Sequence, residues 1–275
     1  MTPGGAPPQA VKLAVLGDPL DYTRSPDLHR AGAAALGVAC ESEPIRTPVA
    51  ELGATLARLA AEGYTGCNLT MPLKAAALAH VKKVSPAAAA ARSVNTVTFG
   101  EDGMDADSTD GAGFVDLMRA LDRDPAKIRV LLLGGGGAAR SLAWQLQQER
   151  APGIHVLSRR APVDDPDWAD LEKPHGWSAW GSPEGGMALL ASDVVVNCTP
   201  LERPVEVAAV ARNALVVDLA YGPELTPWVR EARANGLEAV DGLGLLVHQG
   251  RHSLARWLGH DVPLAPLAAA VGWPR

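Results

Sequence analysis

Short apolar runs alternate along the chain with stretches whose apolar positions recur every three or four residues, the mark of strands interleaved with helices. The first run, KLAVLG (12–17), reads as a strand. SPDLHRAGAAALG (25–37) opens on Ser-Pro and stops at Gly37, the start and stop marks of a helix. The unit repeats: VAELGATLARLAAEG (49–63) has helical spacing and a terminal glycine, and YTGCNLT (64–70) is a short strand. Residues 74–92 are Ala-rich and helical with a break at Ser85-Pro86, and SVNTVTF with GMDAD predicts a hairpin around Glu101 to Gly103.

A second α/β region follows. GAGFVDLMRAL (111–121) is a helix leading to KIRVLLLGGGGAARSLAWQLQ (127–147), an apolar strand that runs through a glycine turn into another helix. Further strands are expected at GIHVLS, DVVVNCT and ALVVDLA, with EAV (238–240) a weaker one, and their alternation with helices predicts a parallel, doubly wound sheet. The Pro/Asp-rich stretch 161–184 is expected to be irregular surface. GLLVHQGRHSLARWLG and APLAAAVGW close the chain as helices with one apolar face each, expected to return to the first domain. The boundaries read from these signals are 1–109 with 243–275 for one domain and 110–242 for the other.

Composition narrows the function classes. The chain has 275 residues, 47% hydrophobic and 20% charged, and a net charge of −6, an ordinary globular balance that suits two domains and excludes a general affinity for nucleic acid or anionic lipid. Cys40, Cys67 and Cys198 lie far apart, so neither a zinc site nor a disulfide framework is indicated. The start of the chain lacks a basic segment followed by an apolar one, and no apolar run reaches the ~18 residues of a membrane helix. Both point to a cytoplasmic protein.

Residues 134–139, GGGGAA, fit G-x-G-x-x-G/A with Gly134, Gly136 and Ala139 in the small positions and Gly135, Gly137 and Ala138 between them. Strand before and helix after is the context of a Rossmann dinucleotide site, where small residues let a pyrophosphate approach the helix N-terminus; a glycine turn used for packing is the alternative. An NAD site wants a carboxylate at the end of the next strand. Here Ser158, Arg159 and Arg160 stand instead, hydroxyl and guanidinium donors suited to the 2′-phosphate of NADP, or else a solvated surface pair. His248 and His252 are one helical turn apart, but Gln249 follows where a zinc protease has glutamate, and no metal site is expected.

One lysine stands out. In GCNLTMPLK (66–74), Lys74 sits just past a buried-type strand, where an ammonium needs a partner. Taken with DPLDYTRSPDLH (18–29), SVNTV (93–97), DSTDGAGF (107–114), DLAYGPELTPW and DGLGLLVHQ (241–249), the chain resembles the shikimate dehydrogenase family over almost its whole length. The resemblance implies an N-terminal substrate domain, a Rossmann NADP domain, and reversible reduction of 3-dehydroshikimate to shikimate on the way to aromatic amino acids. It also implies a cleft between the domains, hinged closure, and a monomer or homodimer.

Lys74 and Asp110 match the family's catalytic pair; a snorkelling lysine and a helix-capping aspartate are the alternatives for each alone. Thr23 and Ser25 match the hydroxyls that take the carboxylate, Thr70, Asn95 and Gln249 match positions binding ring hydroxyls, and Tyr221 matches a substrate-side tyrosine. Thr199, Leu219, Gly242 and Leu245 align with residues lining the nicotinamide. The departures are Thr23 for a usual serine, Ser108 for asparagine, SRR for N-R-T, a missing glycine in NCTPLERP, and Arg92 and Ser93 where small residues are common. Thr23 and Ser108 open a second reading, relaxed specificity that admits quinate, and a third, an idle NADP-binding sensor.

Overall fold

A computed structural model describes residue 8 and residues 10–161, 164–169, 171 and 174–275. The chain divides into two units, Met1–Gly113 with Leu246–Arg275, and Phe114–Leu245. From Leu246 onward the closing helices fall in the first unit.

The first unit begins with β1 (Ala10–Gly17), α1 (Ser25–Ala35), β2 (Ala39–Arg46), α2 (Leu52–Ala61), β3 (Gly66–Leu69) and α3 (Leu73–Ala76). It continues with β4 (Lys83–Val84), α4 (Pro86–Ala91), β5 (Thr96–Gly100) and β6 (Gly103–Asp107). The sheet runs β2-β1-β3-β5-β6-β4, with β1 parallel to both neighbours and β5 antiparallel to β3 and β6. β1 and β3 are buried along most of their length and occupy the interior, with Asn68 the one polar side chain of β3. Leu52, Leu56 and Leu59 of α2 recur at helical spacing and are fully buried in the core below the sheet, each contributing roughly 1.5–3 kcal/mol.

Two local readings change. The sequence ACESEPIR shows no apolar run, yet it forms β2; as an edge strand it needs no buried face, and Pro44 is tolerated there because its missing N–H faces outward. The Ala-rich stretch is more broken than its composition suggests, with α3, a 3-10 turn at Ala77–His80, and α4 capped by the Ser85 hydroxyl, which accepts from the Ala88 amide at 3.1 Å. Arg92 ends α4 in the left-handed conformation at φ 45°, which explains why a small residue, glycine above all, suits that position. The hairpin forms as predicted, with Gly100 opposite Gly103.

The second unit takes up α5 (Asp110–Ala120) after Gly113, then β7 (Arg129–Leu133), α6 (Gly137–Gln148), β8 (Gly153–Ser158), β9 (Gly176–Ala179) and α7 (Pro183–Ala191). There follow β10 (Val194–Asn197), β11 (Leu215–Asp218), α8 (Pro227–Ala234) and β12 (Glu238–Val240). Every pairing is parallel, in the order β12-β11-β10-β7-β8-β9, which is the 6-5-4-1-2-3 order of a doubly wound dinucleotide fold. β9 corrects the expectation of irregular surface over 161–184: it is an edge strand whose GWSA sequence is too short and mixed to signal itself. Residues 162, 163, 170, 172 and 173 of that stretch lie outside the described residues. Finally α9 (Leu243–Leu258) and α10 (Leu264–Val271) complete the first unit, with α10 packed on α1. Among the described residues no helix is long and apolar enough to cross a membrane.

Candidate active site

The lysine singled out by its setting has its partner. After β3 the chain turns, with the Leu73 amide donating to Thr70 O at 2.9 Å, and α3 then presents Lys74. Lys74 Nζ donates to Asp110 Oδ2 at 2.7 Å, although 36 positions separate the two. The side chains are 23% and 7% exposed, so the ammonium reaches solvent while the carboxylate is nearly dry. Asp110 is the first residue of α5, where the helix dipole favours negative charge. It belongs to the first unit with Lys74, because the boundary falls after Gly113.

The second carboxylate oxygen, Oδ1, accepts from Asn95 Nδ2 at 2.8 Å. The Asn95 amide is held from behind: its Oδ1 accepts from the Thr109 amide at 2.8 Å and from the Thr96 hydroxyl at 2.9 Å. Its Nδ2 also lies 3.1 Å from Gln249 Oε1, and Gln249 Nε2 is anchored on Leu246 O at 2.9 Å. Gln249 comes this close because Gly113 has no side chain; a Cβ there would stand 2.5 Å from the Gln249 nitrogen. Lys74, Asp110, Asn95 and Gln249 are thus one hydrogen-bonded cluster.

Thr23 and Ser25 form a turn of their own, with the Ser25 amide donating to Thr23 Oγ1 at 3.2 Å. Arg24 between them donates to Ala270 O at 2.6 Å and ties the turn to α10. Thr70 is half-buried and packs on Gly17, where a Cβ would come within 2.4 Å of its methyl group. Ser108, in place of the family's asparagine, is buried, and its amide donates to Asp107 Oδ1 at 2.8 Å, while Asp107 Oδ2 meets Arg256 of α9 at 2.8 Å. All these residues are in the first unit, whereas Tyr221, half-buried, is in the second.

In the second unit the glycine turn is shaped by what it lacks. Gly134 has φ 105°, and a Cβ on it would lie 2.9 Å from the Thr199 methyl. Gly136 caps α6 without a side-chain hydrogen bond and has nothing within 4 Å of its Cβ position, with Gly137 and Ala138 following in the first turn. Trp168 Nε1 and Arg140 Nη1 both donate to Gly135 O, at 3.0 and 3.3 Å, and fix the turn from inside, while Ala139 is buried. At the end of β8, Ser158 donates its hydroxyl proton to Arg160 O at 2.6 Å and accepts from Trp177 Nε1 at 2.9 Å, while Arg159 and Arg160 are exposed. A helix N-terminus without a side-chain cap and two exposed guanidiniums at the end of β8 suit a pyrophosphate and a 2′-phosphate.

The loop after β10 holds itself without the missing glycine. Thr199 Oγ1 donates to Asn197 Oδ1 at 2.7 Å and accepts from the Leu201 amide at 3.2 Å. Gly242 is required by close approach, since a Cβ would meet Leu219 O at 2.2 Å; Leu219 is half-buried and Leu245 buried. Burial raises the carboxyl of Asp218 above its ordinary range, against hydrogen bonds from Thr226, Ala220 and Asn197. His248 stacks edge-on against Trp273 at 5.4 Å, and among the described residues no three His, Cys, Asp or Glu side chains gather as metal ligands.

Residues 15–97 match the family model described as the shikimate dehydrogenase substrate binding domain. A shikimate dehydrogenase (NADP(+)) of Acidiphilium cryptum is 37% identical over 253 residues, covering 89% of each chain. The chain belongs to the shikimate dehydrogenase family. Its NADP(+)-dependent relative from Microcystis aeruginosa is 32% identical and covers 94% of this chain and 95% of its own. The solved shikimate 5-dehydrogenase of Thermus thermophilus in complex with NADP(H) and shikimate has a TM-score of 0.83 and 30% identity, over 95% of this chain and 98% of its own. Asn68, Thr96, Thr109 and Ser253, which surround Asn95 in this shikimate dehydrogenase, carry no sequence signal as a group: single hydroxyls and amides are common, and only the fold gathers them.

Proposed function

We propose that the chain catalyses the reversible, NADP-dependent reduction of 3-dehydroshikimate to shikimate in the cytoplasm. The first unit takes the substrate and the second the dinucleotide. The observation that carries the chemistry is the 2.7 Å contact between a partly exposed Lys74 and a nearly dry Asp110. NADPH, when bound, supplies a hydride. The chain supplies the proton: Lys74 Nζ gives one to the ketone oxygen and stabilises the alkoxide charge that develops there. Asp110 orients the ammonium, stays paired with it, and shares in returning its proton. Asn95 holds Asp110 Oδ1 in place, and Gln249, fixed on Leu246 O, meets a ring hydroxyl.

Thr23 and Ser25 take the substrate carboxylate, Thr70, Asn95 and Gln249 bind its ring hydroxyls, and Tyr221 serves as a substrate-side tyrosine. Gly134 to Ala139 receive the pyrophosphate at the start of α6, and Arg159 and Arg160 the 2′-phosphate, with the Ser158 proton already engaged inside the loop. Thr199, Leu219, Gly242 and Leu245 line the nicotinamide. The intact Lys74, Asp110, Asn95 and Gln249 cluster argues against an idle sensor. A second reading, quinate as an additional substrate, rests on Thr23, whose extra methyl reshapes the carboxylate turn.

The test follows NADP(H) absorbance with 3-dehydroshikimate or shikimate, with quinate, and with no substrate, and repeats each with NAD(H). Turnover of shikimate with NADP and little with NAD is expected. No turnover with any ring substrate overturns the assignment, and quinate turnover at a comparable kcat/KM establishes the second reading.

A further inference from the structure

Behind the Lys74–Asp110 pair lies a run of buried polar side chains that the reaction as derived does not use. His29 of α1 is fully buried, with Nδ1 2.8 Å from Ser42 Oγ and Nε2 2.9 Å from Asn68 Oδ1. Asn68 Nδ2 lies 2.9 Å from Asn95 O, 3.2 Å from Thr96 Oγ1 and 3.1 Å from Ser253 Oγ. Ser253, one turn after Gln249 on α9, has no exposed surface and stands 2.7 Å from Thr96 Oγ1.

Two backbone groups fix the orientation of both amides in this run. The Asn95 carbonyl can only accept, so the Asn68 NH2 points to it, and Asn68 Oδ1 must accept from His29 Nε2–H. The Thr109 amide can only donate, so the oxygen of the Asn95 side chain faces it, and Thr96 spends its one proton on that same oxygen. Ser253 accepts from Asn68 and stands 2.7 Å from Thr96 Oγ1 and 3.2 Å from the Gln249 carbonyl, between which its one proton is shared. The result is a one-way sequence of donors from His29 to Asn68 to Thr96 to Asn95 to Asp110, where the Lys74 ammonium closes it, with Ser253 packed against both Asn68 and Thr96. Bonds aligned in this way polarise one another and make reversal of any one amide costly.

We propose that the Thr96 and Ser253 hydroxyls are positioning residues for hydride transfer, which hold the Asn95 amide with its NH2 toward Asp110 and so keep Asp110 aimed at Lys74. A flipped Asn95 would present its oxygen to the carboxylate and push it off the ammonium. This inference rests on the assignment of Lys74 and Asp110 as the reacting pair.

The experiment uses the full-length protein with shikimate and NADP. Wild-type turnover is measured first, and its absence refutes the reaction assignment itself, separately from the network. Thr96→Val, close in shape but without the hydroxyl, is expected to lower kcat about tenfold with KM for both substrates changed less than about twofold, since only the aim of the reacting groups is disturbed. Thr96→Ser should restore most of the loss. Ser253→Ala should lower kcat severalfold, and the double variant Thr96→Val/Ser253→Ala should be no slower than Thr96→Val alone, because the two act through one bond. Unchanged kcat in Thr96→Val overturns the proposal; so does a serine variant as slow as the valine one, or losses that multiply in the double variant. Should Thr96→Val fail to fold, Ser253→Ala decides, and a loss that only tracks the folded fraction refutes the positioning role.

Discussion

The two working regions of this shikimate dehydrogenase are made in opposite ways. The cluster around Asp110 is built from side chains, most of them buried and hydrogen-bonded to one another. The turn at Gly134–Ala139 is built from their absence: Gly134 sits where a Cβ would strike Thr199, and Gly136 caps α6 with no side chain. A site that moves a proton must hold specific atoms at hydrogen-bond distance, whereas a site that holds a phosphate needs only room and a field. Damage should therefore differ in kind: lost turnover in the first region, lost cofactor affinity in the second.

The sharpest break in that contrast comes from Lys74→Ala, which should reduce kcat on the order of 100-fold or more while KM moves little, as general acid-base roles do. Steady-state kinetics check it, and a pure KM effect would make Lys74 a binding residue. In the second region, Gly134 and Gly136 separate fold from function. Gly134→Ala places a Cβ in the left-handed region and against Thr199, and should cost about 2–3 kcal/mol of stability in denaturant unfolding. Gly136→Ala meets nothing in the protein, so it should leave unfolding nearly unchanged and raise KM for NADPH.

A third measurement turns on His29. Burial, the largest cause, pushes its imidazole down to about 4 from 6.5, against the hydrogen bond to Asn68. The unfolded chain takes up a proton as pH falls through 6.5 while the folded chain does not, so stability declines below pH 6.5 and the decline levels off once pH passes below about 4. The loss between pH 7 and 5 should be about 2 kcal/mol, and His29→Gln should flatten that part of the profile. The smallest effect is Arg159→Ala, expected to weaken NADPH about tenfold and NADH hardly at all. Equal losses for both would remove the 2′-phosphate assignment.

The sequence made one region easier to read than the other. GGGGAAR sits between an apolar strand and a helix, so a window of some twenty residues carries its own context. Lys74 and Asp110 gave only a question each, answered by the joint pattern of motifs. Ser253 was invisible: it meets Thr96 across 157 positions and Asn68 across 185, and no local periodicity encodes such a meeting. The strands missed, β2, β4 and β9, are all edges. An edge strand buries little, so it has no need of the apolar pattern by which strands announce themselves.

Gly113 sets the spacing between the helix that begins with Asp110 and the backbone of Gln249. A methyl group there would act as a wedge, driving the glutamine away from the amide it shares with the carboxylate. The axle on which the reacting groups turn therefore admits no added atom.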